Sequence, residues 1–305
     1  MLDYDLLRAL AAVVREGSFE GAAQTLSVTP SAISQRIKLL EMRVGAILIV
    51  RGRPCTATTA GFQLFRHIEL VQVLEHDLVA SLRSEGSTLA GEHVKIRIAV
   101  NADSISTWFS KVVARAGSEL EVLFDIVPDD QEYTAEYLRK GEALAAVTAD
   151  AVPVHGFRIV NIGTLDYVPA ATPEFIKTHF PDGINPKALD ESPSILFDRK
   201  DSISYQWIKT TFNSSAKLTP HYVPSFSGYL QACLDGVGWG LVPEIAARPY
   251  LKSGTLVELQ PGTNVKVPLH WQYSVNAGQT MRALSMIVMD VARGELMSEQ
   301  PSQIA

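Results

Sequence analysis

The sequence predicts a multidomain chain: a small all-α head with a two-stranded β appendage, one long helix, and a two-lobed α/β domain. Three observations lead there. Residues 3–44 carry apolar residues at helical spacing, broken by helix stops. Residues 58–83 run without Pro, and without Gly after Gly61. Beyond residue 92, short β-branched strands alternate with helical segments, which indicates a parallel sheet with helices on its faces. The 305 residues exceed one small domain, and 47% hydrophobic residues supply material for more than one core.

The first helix spans 3–16, with Leu6, Leu10, Val13 and Val14 on its apolar side, and Gly17 stops it. Ser18 can cap a second helix, about Phe19 to Leu26, whose Ala22 and Ala23 allow close helix contact. The turn Ser27-Val28-Thr29 leads to Pro30, so Thr29 is the expected N-cap of a third helix that ends at Gly45. Helix, short turn, helix is the helix-turn-helix arrangement.

At about 100° per residue, Ile33, Ile37, Leu40 and Val44 of the third helix face the core, and Ser31, Ser34, Gln35, Lys38 and Met42 face away, with Arg36 at the rim. Short hydroxyls let backbone approach a surface. Gln35 can pair with a base edge, and Arg36 and Lys38 can reach phosphates or guanine. From Thr29 to Arg53 there are five Lys/Arg and one acid, Glu41, in a chain of net charge −6. That balance excludes coating of nucleic acid along the whole chain, while local charge marks this helix as a major-groove reader. Residues Ala46 to Val50 read as a strand, RGRPC as a turn, and TATTAG as its return. This makes a wing, with Arg51, Arg53 and Thr58 added to the DNA-contact set.

AAQTLSVTPSAISQRIKLLEMRVGAILIVR followed by TTAG closely resembles the N-terminal domain of LysR-type transcriptional regulators. The resemblance implies a winged helix-turn-helix in a homodimer or homotetramer on a pseudo-palindromic operator in double-stranded DNA. It also implies a linker helix leading to a periplasmic-binding-protein-like effector domain. On this basis the DNA-binding domain is placed at 1–58, the linker helix and hinge at 59–91, and the effector domain at 92–305. Lobe I is placed at about 92–162 and 268–305, and lobe II at about 163–267.

The linker can be read independently. Leu64, Ile68, Val71, Leu78 and Leu82 form a heptad seam, with Glu75 in the missing position, and a seam of this length wants a partner helix. The stretch SEGSTLAGEH is a hinge. In the following domain, strands are expected at Val94–Val100, Val122–Val127, Leu144–Thr148, Leu165–Pro169, Ser194–Phe197, Gly240–Val242 and Leu269–Val275. Helices are expected after NADSIST and after Pro173, and near 133–140, 205–212, 226–234 and 281–291.

NADSISTWFS, LRKGEALAAVT, VPSFSGYLQACLDGVGWGLVPE and LHWQ narrow the resemblance to the ArgP/LysG subgroup, whose members sense lysine or arginine and activate export genes. Residues 176–222 match least. Such a ligand carries a carboxylate, an ammonium and a cationic tip. A helix N-terminus suits the carboxylate, and buried cations need acidic partners. Asn101, Asp103 and Ser104 on NADSIST, Asp130 after the second strand, Thr148 ending the third, Asp198, and Ser225 with Ser227 make the candidate inter-lobe lining. In α/β sheets ligands sit at the carboxyl ends of strands.

The glycine run GVGWG follows a helix and precedes a strand, the wrong order for a dinucleotide fingerprint. No GxSxG, HExxH or P-loop occurs, and the seven His show no metal pair. No cofactor, metal site or catalytic centre is expected. Two distant cysteines, an acidic N-terminus and the lack of an apolar run of about 18 residues make a cytoplasmic location the expectation. The expected function is a transcriptional regulator that senses L-lysine or L-arginine and controls a basic amino-acid export gene. The alternatives are a regulator with an aromatic or organic-acid effector and, further off, a solute-binding module.

Overall fold

The computed structural model describes residues 2–85, 88–89, 93–129 and 134–296. The chain forms two compact units. The first comprises Met1–Val100, Val113–Val160 and His270–Val288, and the second comprises Asn101–Val112, Asn161–Leu269 and Met289–Ala305.

The first unit begins with helices α1 (Tyr4–Glu16), α2 (Phe19–Thr25) and α3 (Pro30–Val44). Their starts are fixed by side-chain caps: Asp3 accepts from the Asp5 N–H, Ser18 from Gly21 and Thr29 from Ala32. Gly17 and Gly45 end α1 and α3 in the left-handed region, at φ 62° and 76°. Leu6, Leu10, Val13, Ala22, Ala23, Ile33, Ile37 and Leu40 close the core between them. Val44, expected inside, is 38% exposed, because it is the last helical residue and lies past the three-helix core.

The expected strand at 46–50 is shorter. Only β1 (Ile49–Val50) pairs, antiparallel to β2 (Thr56–Ala57). Leu48 is buried and Ile47 is 70% exposed, so the approach to the wing is a turn anchored by one residue. The Glu41 carboxylate accepts from the Leu48 N–H at 2.8 Å, which gives the one acid of the recognition segment a structural task.

The linker helix α4 (Thr59–Ser84) starts beneath the wing. A Cβ on Gly61 would overlap the Leu48 carbonyl oxygen, so the glycine of TTAG lets α4 meet the wing backbone. The seam departs from expectation. Ile68 is buried in the head's own core, with Leu64 and Val71 packed against that core. Leu74 and Leu78 remain exposed, at 45% and 58%. The upper half of the apolar stripe is therefore satisfied within the chain.

The rest of the first unit is an α/β layer. It contains β3 (Val94–Asn101), of which Asn101 belongs to the second unit, with α6 (Ser110–Leu120), of which Ser110 to Val112 belong to the second unit, β4 (Val122–Asp129), α7 (Thr134–Lys140) and β5 (Ala145–Thr148). β5 pairs parallel with β3 and antiparallel with residues 270–273 of β11 (Val265–Ser274). The sheet is mixed where a parallel one was expected, because its last strand returns from near the chain end in the opposite direction. Helix α13 (Gly278–Glu295) follows β11.

In the second unit, Asn101 leads into α5 (Ala102–Ser104) and a π-helical turn at Ile105–Phe109, which runs on into α6. The strand expected at 165–169 is longer: β6 (Phe157–Ala171) is 15 residues, and its second-unit part pairs antiparallel with β9 (Gly240–Pro243) and β10 (Val257–Glu258). β7 (Pro193–Leu196) pairs parallel with β8 (Thr219–Tyr222). Around them lie α8 (Pro173–His179), α9 (Pro186–Glu191), α10 (Ile203–Phe212), α11 (Phe226–Leu234) and α12 (Glu244–Ser253). GVGWG is a packing device. A Cβ on Gly238 would stand 2.9 Å from the Pro193 carbonyl oxygen, and one on Gly240 would overlap the Tyr229 hydroxyl. Buried Trp239 donates from its indole N–H to Ser192 Oγ.

Candidate nucleic-acid interface and small-molecule site

The outer face of α3 presents Ser31, Gln35 and Lys38 exposed, with Ser34 and Arg36 half-buried. Within the described residues no hydrogen bond or ion pair engages Gln35, Arg36 or Lys38, so their donors and acceptors are available to a partner. Ser31 Oγ lies 2.9 Å from the capping Thr29 hydroxyl. Arg43 is held by Asp3 at 3.2 Å and is not part of this face. In the wing, Arg53 is exposed, and the exposed Arg51 guanidinium rests 5.1 Å from the Phe19 ring centroid, a cation–π contact that limits its orientations. Thr58 differs from the others. Its hydroxyl donates to the Ile47 carbonyl at 2.8 Å and accepts from the Gly61 N–H at 3.1 Å, so it caps α4.

The small-molecule residues divide by position. Asn101 is buried at the end of β3. Asp103 is half-buried and accepts a 2.5 Å hydrogen bond from the Tyr167 phenol. Ser104 is fully buried, and among the described residues its Oγ has no partner. Such a group normally finds one. Its neighbours Ser106 and Thr107 donate back to the Ala102 and Asp103 carbonyls, at 2.8 and 2.6 Å, next to the π turn. Single π turns inside helices recur at functional sites.

Asp198 accepts from the Lys200 and Asp201 N–H groups at 2.6 and 3.1 Å, an Asx turn. Ser225 caps α11 by accepting from the Gly228 N–H, and its hydroxyl lies 3.3 Å from that of Ser227. Thr148 belongs to the first unit, where it is buried and accepts from the Asp150 N–H at 3.0 Å. Asp130 lies outside the described residues.

The structure thus joins Asp103 directly to Tyr167, a partner that sequence reasoning missed. No local signal marks Tyr167, which reads as an ordinary strand residue. Burial pushes the Tyr229 phenol well above its ordinary range, and Cys233, Asp201 and Asp103 add to it. Asp201 and Asp103 therefore share the electrostatic surroundings of one neutral buried phenol. Among the described residues no group of three His, Cys, Asp or Glu is placed to hold a metal ion, and no helix is long and apolar enough to cross a membrane.

A basic reading helix, a wing and an α/β fold with small-molecule features define a ligand-responsive DNA-binding regulator. Residues 4–62 match the bacterial regulatory helix-turn-helix protein model of the lysR family, and residues 90–293 match the LysR substrate binding domain. The chain belongs to the LysR family and is a DNA-binding transcriptional regulator, not an enzyme. It is 40% identical over 288 residues to the HTH-type transcriptional regulator ArgP of Pseudomonas fluorescens (strain Pf0-1), covering 93% of this chain and 95% of that one. The crystal structure of ArgP from Mycobacterium tuberculosis is 38% identical with a TM-score of 0.79, covering 98% of this chain and 100% of that one. Full-length LysG from Corynebacterium glutamicum with bound effector Arg is 32% identical with a TM-score of 0.69, over 97% of this chain and 100% of that one.

Proposed function

We propose that this regulator senses a basic amino acid, L-arginine or L-lysine, and in response changes its hold on an operator that controls a basic amino-acid export gene. The observation that carries the reading is the half-buried Asp103 carboxylate, oriented by the Tyr167 phenol, one residue from a buried Ser104 hydroxyl that lacks a partner. The carboxylate suits an ammonium or guanidinium, and the hydroxyl suits the ligand's own carboxylate. The arginine in the LysG structure supports the same ligand class. Ser225 and Ser227 supply further hydroxyls in the same unit. On the DNA side, Gln35 reads a base edge while Arg36, Lys38, Arg51 and Arg53 hold phosphates. A homodimer or homotetramer would set two such helices in successive major grooves of a pseudo-palindromic site.

The test is a thermal-shift titration with L-arginine, L-lysine, L-histidine and an aromatic acid. A ligand at about 100 times its Kd stabilises the folded chain by roughly 2.7 kcal/mol, which moves the midpoint by several degrees. Arginine or lysine should shift the wild type, and Asp103→Asn should lose most of the shift. A shift with the aromatic acid alone would replace the proposed effector.

A further inference from the structure

We infer that Asp77 of the linker helix is the coupling residue that ties the DNA-binding half of this chain to the effector fold, by capping α13 from a distance of about 200 residues of sequence. Its two carboxylate oxygens accept three hydrogen bonds: from the Gln279 N–H at 2.5 Å, the Thr280 N–H at 2.9 Å and the Thr280 hydroxyl at 2.5 Å. These are N–H groups that the first turn of any helix leaves without an internal partner, and the helix dipole favours an anion there. Most helices take this cap from the residue just before them. Here the preceding residue is Ala277, whose side chain has no acceptor, and a Cβ on Gly278, the first residue of the helix at φ +68°, would overlap Asp77 Oδ2 and stand 3.1 Å from Leu74 Cδ2. The glycine leaves room for a cap from another helix, so sequence and geometry agree at both ends of the contact.

The position of the contact gives it consequence. The segment His270–Val288 belongs to the first unit but is joined by the peptide chain at both ends to the second, at Leu269 and at Met289. The second unit holds Asp103 and Ser104. The peptide chain therefore leads from that unit to the start of α13. At its other end, α4 is built into the DNA-binding head through Gly61 against the Leu48 carbonyl and through Phe65 and Ile68 in the core. Asp77 lies on the path between them.

Two neighbouring contacts hold α4 on the same fold. His76 Nε2 donates to the Leu120 carbonyl at 3.1 Å, and Arg66 stacks 4.9 Å from the Phe157 ring centroid. The His76 contact is a single bond to the last residue of α6 and the Arg66 contact meets no helix end, whereas Asp77 makes three bonds to the first turn of α13. If α13 turns or retracts, the Asp77 carboxylate loses three bonds together. That discontinuity gives the tie two states, held or released, as coupling between sites requires.

The experiment uses the full chain as wild type, Asp77→Ala and Asp77→Asn, with a DNA duplex recovered by selection from random sequence. In Asp77→Ala the Gln279 and Thr280 amides should exchange with solvent roughly tenfold faster or more, the size of a lost cap, while amides from Leu284 to Val288 keep their protection. Asp77→Asn retains one carbonyl acceptor and should restore part of it. The decisive reading is coupling. Saturating L-arginine should change the duplex affinity of the wild type, and this ratio should fall toward one in Asp77→Ala, which still binds arginine and duplex separately. A stabiliser without a coupling role would leave the ratio unchanged, and that result overturns the inference.

The arginine arm rests on the proposed effector. If the wild type answers to no amino acid, that reading fails alone and the DNA arm decides. Coupling is reciprocal, so duplex binding must alter exchange at Gln279 and Thr280 in the wild type and not in Asp77→Ala. Unaltered wild-type exchange would overturn the tie.

Discussion

Glu69→Gln isolates a carboxylate of the linker helix that folding places out of water. Glu69 is 3% exposed and is held by the Arg15 guanidinium, which also reaches Gln72 Oε1 at 3.1 Å. Burial pushes its carboxyl up to about 7, against the opposing pull of Arg15 and, more weakly, Arg97. The folded chain therefore keeps a proton on Glu69 at pH values where the unfolded chain, titrating near 4.5, has lost it. The contribution to stability is fully present below about pH 4.5 and is lost as pH rises through about 7. At about 1.4 kcal/mol per pH unit between those limits, the wild type loses about 3 kcal/mol across the window. Glutamine keeps an oxygen for Arg15 and has no proton to lose.

Hydrogen exchange at the core amides of Leu10 and Val13, corrected for the intrinsic pH dependence, reports opening of this core. The two proteins should nearly coincide at about pH 5 and diverge as pH rises, with Glu69→Gln the more stable at about pH 8. Taking the difference cancels every other titrating group. Parallel curves would mean that Arg15 compensates the buried carboxylate fully, and the burial argument would be wrong.

Two further predictions concern the head. Gln35→Ala should relax base preference in a selection experiment, whereas Arg51→Ala should weaken binding about equally on all duplexes and lower the salt slope by roughly one; an unchanged base preference in Gln35→Ala would move the reading face elsewhere. Gly61→Ala should destabilise the head by about 1–3 kcal/mol, the range for overpacking, because its methyl must displace the Leu48 carbonyl; calorimetry would show an unchanged midpoint if the wing can yield instead.

The head was legible because its determinants are local. Thr29, Pro30 and Gly45 bracket one helix within a short window, and the core residues between them recur at helical spacing. The effector fold was legible in kind but not in detail. Asn161 and Gly163 interrupt the apolar run of β6, so only its later half announces a strand. Pro249 lies inside α12 and conceals that helix. Pro220 and a mostly exposed face conceal β8, which pairs only because β7 lies beside it. The direction of β11 depends on where the chain returns, which no window of sequence contains. At the candidate small-molecule site, Asp103 and Ser104 follow from a strand leading into a helix. Tyr167, 64 residues away, does not.

The same distinction separates the residues proposed to bind from those proposed to connect. Gln35, Lys38 and Asp103 declare themselves by type and position, because a recognition group must be polar and placed at the start or outer face of a helix. Glu69 and Asp77 look in the sequence like ordinary polar positions of a long helix. Folding gives one a half-buried arginine and the other a distant helix terminus. Both lie on α4, eight residues apart, so two turns of one helix carry the tie to α1 and the tie to α13. On the proposed reading, substitutions on the surface of α3 or near Asp103 would change the operator or the ligand, while the tie through Asp77 would be left in place.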